Sequence, residues 1–167
     1  KNGKASIYEG GTRVPLAISW PGKIKAGSVN HQAIVSSVDI YPTLIDLCGI
    51  KIKKKSQLDG VSIKQTLMGK NLERDEIYCY FPHYIKSTGN VPSTYVRKGN
   101  WKLIKHFYDN NDQTHRYELF NLQTDIGETL NVAEVYPEKV KALNLLIEKH
   151  LSETGGVVPI ANPNYIK

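Results

Sequence analysis

Ser93-Thr94-Tyr95-Val96-Arg97-Lys98-Gly99-Asn100-Trp101-Lys102-Leu103-Ile104-Lys105-His106-Phe107 is the stretch whose reading decides the fold. Ser93 to Arg97 and Trp101 to Phe107 are short and rich in aromatic and branched residues, the types that suit a pleated, half-buried surface. Lys98-Gly99-Asn100 between them is a tight turn, so the stretch reads as a β-hairpin. Working outward, Ile77 to Phe81 precedes it and Tyr117 to Leu122 follows it with the same texture. The turn-prone stretches Ser87-Thr88-Gly89-Asn90 and Asp109-Asn110-Asn111-Asp112 separate these segments. Four antiparallel strands are expected. Pro137 then opens a helix running to about Glu153, with Val140, Leu143, Ile147 and Leu151 in one apolar stripe. That stripe must bury itself, and the four-stranded sheet is its expected partner.

Upstream the texture differs. Two adjacent glycines make Tyr8-Glu9-Gly10-Gly11-Thr12 a turn, on the expectation that they supply φ > 0. Val14 to Trp20 is a nearly continuous apolar run ended by Pro21-Gly22, as in a strand buried on both faces. Ser37 or Asp39 can cap a helix that carries Ile40, Leu44, Leu47 and Cys48 on one face and stops at Gly49. A basic run at Lys51, Lys53, Lys54 and Lys55 reads as solvated loop, and Ser62 to Met68 as a second short helix. The tail from Pro159 to Lys167 reads as extended. Residues 1–74 thus look like one end of an α/β layer with too few strands for a sheet of its own. Residues 75–167 look like an antiparallel sheet with a terminal helix and tail. Taken as it stands, the chain is α+β.

With 167 residues, 40% hydrophobic and 23% charged, the chain has enough apolar surface for a packed core and no repetitive composition. Disordered tails, collagen-like fibres and coiled coils are excluded, and no apolar run approaches the ~18 residues of a membrane span. A net charge of +6 favours an anionic partner. No aromatic signature of an RNA-binding strand accompanies that charge, so nucleic acid is not the expected partner. Cys48 and Cys79 form no disulfide framework and no zinc knuckle, and read as two buried thiols, with a single bridge between them as the alternative. The five histidines are isolated from one another, and no phosphate loop or nucleophile elbow is present.

Several motifs, in order, carry a family resemblance. Asn2-Gly3-Lys4-Ala5-Ser6-Ile7-Tyr8-Glu9-Gly10-Gly11-Thr12-Arg13-Val14-Pro15 resembles the second sulfatase signature region, G-K-x-x-x-x-E-G-G-x-R-V-P. Trp20-Pro21-Gly22-Lys23-Ile24, Ser36 to Leu44 and Leu58-Asp59-Gly60-Val61-Ser62 are similar to segments of the same family. So are Phe81-Pro82-His83-Tyr84, Arg97 to Ile104, Glu118 to Leu122 and Asp125 to Asn131. The chain resembles the C-terminal part of an arylsulfatase-type enzyme of the alkaline-phosphatase-like superfamily.

That resemblance implies a sulfuric ester hydrolase acting on a sulfated small molecule or glycan, with a formylglycine nucleophile made from Cys or Ser in C/S-x-P-S-R. Neither Cys48 nor Cys79 has that context. The divalent cation, usually Ca2+, is expected to have its ligands upstream, consistent with hard oxygen donors absent from these motifs. The chain is therefore expected to start internally, the missing N-terminal part of the same polypeptide supplying nucleophile and metal ligands. A periplasmic or secreted location is implied by the family, although no signal peptide is present in this chain.

Lys4 matches the family lysine that contacts the sulfate ester. A compact ammonium there would stabilise charge growing on sulfuryl and leaving-group oxygens. His83, leaving a strand end, is expected to meet substrate hydroxyls or the leaving group, and Arg97 an anionic sugar. Glu9 and Arg13, flanking the double glycine, are expected to pair with each other rather than act in catalysis, and Trp101 to anchor the sheet against its helix. Two other functions stay open: a non-catalytic module binding anionic or sulfated glycans, and a phosphonate or phosphate ester hydrolase of the same superfamily.

Overall fold

The computed structural model describes residues 1–51, 58–74 and 76–165, and the chain divides into two compact units, Lys1–Val14 with Glu76–Lys167 and Pro15–Asp75. The first unit is built on β1 (Glu76–Phe81), β2 (Ser93–Lys98), β3 (Trp101–His106) and β4 (Arg116–Asn121), a meander in which each strand pairs antiparallel with the next. Lys98 pairs with Trp101, leaving Gly99-Asn100 as a two-residue loop, and Gly99 takes the positive φ of 55° that such a loop asks of its first residue. The expected hairpin is present. So is the helix α4 (Pro137–Thr154), opened by proline in its first turn and closed by left-handed Gly155. Leu143, Ile147 and Leu151 of α4 bury themselves against Val96, Leu103, Leu119 and Phe107. The sheet covered by the terminal helix is the observed architecture.

Alternation along the strands sends the intervening residues to the opposite face. There Tyr95, Ile104, Phe120 and Leu122 form a second core with Ile7 and Tyr8. The first fourteen residues therefore pack on the sheet, although the sequence suggested they belong with residues 15–74. The double glycine follows from this packing. Glu9–Thr12 forms a single helical turn, α1, in which neither glycine has a positive φ. A Cβ on Gly10 would fall 2.0 Å from the Asn2 carbonyl oxygen, and one on Gly11 2.2 Å from that of Ser6. Close backbone approach requires these glycines, not the positive φ expected from sequence.

The second unit is organised by a polar hub. Ser37–Asp39 forms a 3₁₀ turn leading into α2 (Ile40–Leu47), and α3 (Lys64–Leu67) follows. The fully buried Asp39 carboxylate accepts from the Ser36 and Val61 amides at 2.7 and 3.0 Å and from the Arg74 guanidinium at 2.8 and 2.6 Å. Burial opposes ionisation of Asp39, yet the Arg74 and backbone hydrogen bonds hold it below the ordinary aspartate range. Thr43 links the same elements, donating to the Asp39 carbonyl at 2.6 Å and accepting from the Ile63 amide at 3.0 Å.

The expected apolar stripe of α2 is not buried: Ile40 and Leu44 are exposed. Val14 to Trp20 is not a strand, and Val14 is 77% exposed. A β-strand needs a hydrogen-bonded neighbour, and no described residue outside the four-stranded sheet provides one. Cys48 is exposed and Cys79 half-buried, both as free thiols, so the pair is not the two buried cysteines expected. Lys51 is exposed, while Lys53, Lys54 and Lys55 lie outside the described residues. No described helix is long and apolar enough to cross a membrane.

Candidate active-site segment and its supports

Lys102 is the second residue of β3 and has no exposed surface. Alternation points it away from α4, into the face covered by residues 1–14. Its ammonium lies 3.0 Å from Glu9 Oε1 and 2.9 Å from Glu128 Oε1, and donates to the Ile7 carbonyl at 3.1 Å. It also sits 4.4 Å from the centre of the Tyr95 ring. Glu128 Oε2 in turn accepts the Glu9 amide hydrogen at 2.6 Å. Arg13 and Arg97 approach the other Glu9 oxygen at 3.7 and 3.8 Å, so the expected Glu9–Arg13 pair forms within a larger cluster. A buried cation of this kind is tolerable only when paired and hydrogen-bonded, and here its ion pairs and hydrogen bond run to the N-terminal segment and to Glu128. Burial also pushes the Tyr95 phenol up to about 12.

A second network lies on the same face. Glu118 accepts from the Tyr8 hydroxyl at 2.5 Å, meets His106 Nε2 at 2.7 Å, and faces the Lys1 ammonium at 3.1 Å and Arg116 at 3.3 Å. Burial would raise the Glu118 pKa, but the contacts with His106, Tyr8 and Lys1 outweigh it and hold the carboxyl well below the usual range. Burial and the Glu118 hydrogen bond together raise Tyr8.

The loop after β1 completes the supports. Thr88 donates to the Ala5 carbonyl at 2.9 Å, and Asn2 donates to the Thr88 carbonyl at 3.5 Å. Asn90 accepts the Ile7 amide at 3.3 Å while its amide group donates to the His83 carbonyl at 3.1 Å. The backbone beside Lys4 and the backbone at His83 are thereby tied to one loop. Lys4 is exposed and, among the described residues, makes no hydrogen bond or ion pair. His83 is exposed too, its ring meeting Phe81 edge-on at 5.3 Å. Arg97 is placed elsewhere. It pairs across the ladder with Ile77, whereas His83 follows Phe81 at the opposite end, and its side chain is engaged with Glu9 and the Gly99 carbonyl. The sequence motifs thus bring Lys4 and His83 to a shared loop and leave Arg97 in the buried cluster.

Lys102, Glu128, Glu118, His106 and Asn90 were not singled out from sequence. A signal existed: Leu103 and Ile104, like Leu119 and Phe120, are adjacent apolar residues of opposite parity. Such pairs mean that both faces of the sheet are covered, which commits the charges between them to buried partners.

Among the described residues no group of three or more His, Cys, Asp or Glu is placed to hold a metal ion. Glu9, Glu118 and Glu128 already face ammonium, guanidinium, imidazole, phenol or amide donors. They do not fit a hard-cation site, which needs carboxylate oxygens turned toward the ion.

The chain matches the family described as N-sulphoglucosamine sulphohydrolase, C-terminal, over residues 3–154. It is 36% identical over 143 residues to a protein of Formosa agariphila named "Sulfatase", covering 81% of this chain and 25% of that one. It is 29% identical over 157 residues to an N-acetylgalactosamine-6-O-sulfatase of Bacteroides thetaiotaomicron, covering 89% of this chain and 29% of that one. The crystal structure of Ps i-CgsB superposes with a TM-score of 0.73 at 28% identity, over 90% of this chain and 31% of that chain. The chain therefore spans between a quarter and a third of the length of these proteins.

Proposed function

The chain belongs to the sulfatase family defined by that C-terminal match, and from this membership we propose that it is the C-terminal part of a sulfuric ester hydrolase acting on sulfated sugars. The nucleophile and divalent cation implied by the family belong, in this proposal, to parts of the polypeptide outside residues 1–167. A periplasmic or secreted location goes with it.

Lys4 is assigned the sulfuryl group. As the S–O bond breaks, negative charge grows on the sulfuryl and leaving oxygens, and a preorganised ammonium stabilises that charge more than it stabilises the ground state. His83, on the loop that also holds the Lys4 segment, is assigned a hydrogen bond to a sugar hydroxyl or to the leaving oxygen. One observation carries the assignment. Lys102 and Lys1 meet carboxylates at 3.0 and 3.1 Å and Arg13 and Arg97 approach one at 3.7 and 3.8 Å, whereas the Lys4 ammonium is exposed and without a partner among the described residues, on a backbone held at residues 5–9. The names of the relatives support sulfated sugars as the substrate class.

The experiment is sulfate release from O-sulfated monosaccharides and an aryl sulfate by the polypeptide that joins this chain to its upstream part, with matched phosphate esters alongside. Faster turnover of sulfate than of phosphate is expected, and no sulfate release by residues 1–167 alone. Faster hydrolysis of the phosphate esters, or sulfate turnover by the isolated chain, would contradict the assignment.

A further inference from the structure

We propose that Glu128 and Lys102 are positioning residues for Lys4, holding the backbone from which it projects; this deepens, and rests on, the assignment of Lys4 to the sulfuryl group. The atoms they bind show what is being fixed. Lys102 holds the Ile7 carbonyl and Glu128 the Glu9 amide, while Asn90 holds the Ile7 amide and Thr88 the Ala5 carbonyl. Four main-chain groups between residues 5 and 9 are therefore gripped by side chains distant in sequence. Such contacts dictate backbone conformation just C-terminal to Lys4, whatever the side chains there happen to be.

Two strained positions point the same way. Ala5, next to Lys4, has a φ of 67°, and Glu128 has a φ of 53°, both in the left-handed region that a Cβ disfavours. Such conformations persist only where surrounding structure over-determines them, and they concentrate at sites where geometry has a function. Glu128 is also fully buried, as is Lys102. A buried ion pair is poor value for stability alone, since apolar side chains of similar volume commonly serve the fold as well. What an apolar pair cannot do is bind the Glu9 amide and the Ile7 carbonyl. The platform is also rigid, because Lys102 is paired within β3 on both sides, opposite Arg97 and Phe120. A group held this way meets the reacting oxygen in one place, and a misplacement of about 1 Å can cost about a hundredfold in rate.

The test uses the full-length sulfatase. The double variant Lys102→Met/Glu128→Met fills the volume without the backbone contacts, and Glu128→Gln removes the charge and one of the two acceptor oxygens that face Lys102 and the Glu9 amide. Glu128→Gln carries the same test should the double variant not fold. Expected for the double variant are a lower melting temperature, because Glu9 keeps its buried carboxylate and loses the Lys102 ammonium, faster hydrogen exchange at the Ile7 and Glu9 amides, and, in the folded fraction, kcat lower by about a hundredfold with KM little changed. Glu128→Gln should fall between it and wild type. In a Lys4→Ala background neither variant should lower kcat further, because the group being positioned is gone. Wild-type kcat in the double variant, alongside the expected loss in Lys4→Ala, would overturn the positioning role alone. A loss that multiplies with Lys4→Ala would also overturn it. Wild-type kcat in Lys4→Ala would remove the assignment of Lys4 itself and the positioning role with it.

Discussion

The two faces of the four-stranded sheet are both buried, but by different means. Under α4, Val96, Leu103 and Leu119 meet Leu143, Ile147 and Leu151, and cohesion comes from apolar area removed from water. It also holds a charged pair, in which the buried Lys105 reaches the half-exposed Glu148. Under residues 1–14, apolar contacts from Ile7 and Tyr8 alternate with the Lys102–Glu9–Glu128 cluster and the Glu118 network. Apolar packing is non-directional and accepts any segment of the right shape. Buried charges accept only a segment that returns the matching groups at the matching places. The helix face supports the sheet, and the polar face selects one backbone path for the segment that carries Lys4.

That contrast can be broken by mutation. Lys102→Ala should be the most damaging single change, leaving Glu9 and Glu128 buried without their cation at a cost of about 3–5 kcal/mol in denaturant unfolding. Leu143→Ala should cost roughly 2–5 kcal/mol, but through a cavity, so kcat in the folded fraction should stay at the wild-type level. Equal effects of the two variants on the exchange of the Ile7 amide would show that the faces are not distinct.

Acid should separate the faces as well. The folded pKa of Glu118 lies below its unfolded value, so its contribution is fully present above about pH 5 and is lost as pH falls from there toward the lower folded value. Glu118→Gln should therefore flatten the fall in stability below about pH 5. Leu143→Ala should shift the whole curve down without changing that slope. The smallest effect belongs to the outer surface of α4, where Lys149 and Glu153 form an exposed pair. Lys149→Ala should alter stability by no more than about 0.5 kcal/mol.

The helix face was the legible one. Leu143, Ile147 and Leu151 recur with helical spacing, and the Lys98-Gly99-Asn100 turn fixes the register of the hairpin, so local pattern specified both partners. The contacts that tie the N-terminal segment to the polar face join residues more than ninety positions apart, such as Lys102 with Glu9 and Glu128 with Glu9. The adjacent apolar pair Leu103 and Ile104 signals that both faces near Lys102 are covered, but local periodicity does not say which residues partner its ammonium. The double glycine was legible as special, but the reason for it, close approach to the Asn2 and Ser6 carbonyls, needs the folded path of residues 1–11. Val14 to Trp20 and the α2 stripe fail differently. Their apolar pattern is present, but no described residue covers Val14, Ile40 or Leu44. For the candidate site, motif resemblance nominates Lys4 and His83, and it could not reveal that Arg97 lies beside Glu9.

The most direct measurement is steady-state kinetics of Lys4→Ala in the full-length protein on a small aryl sulfate, paired with a thermal melt. Lys4 lies exposed outside both buried networks, so the melt should stay within a couple of degrees of wild type. If Lys4 stabilises charge on the transferring sulfuryl group, kcat and kcat/KM should fall together by roughly two to three orders of magnitude. A folded Lys4→Ala protein with wild-type kcat would contradict the account.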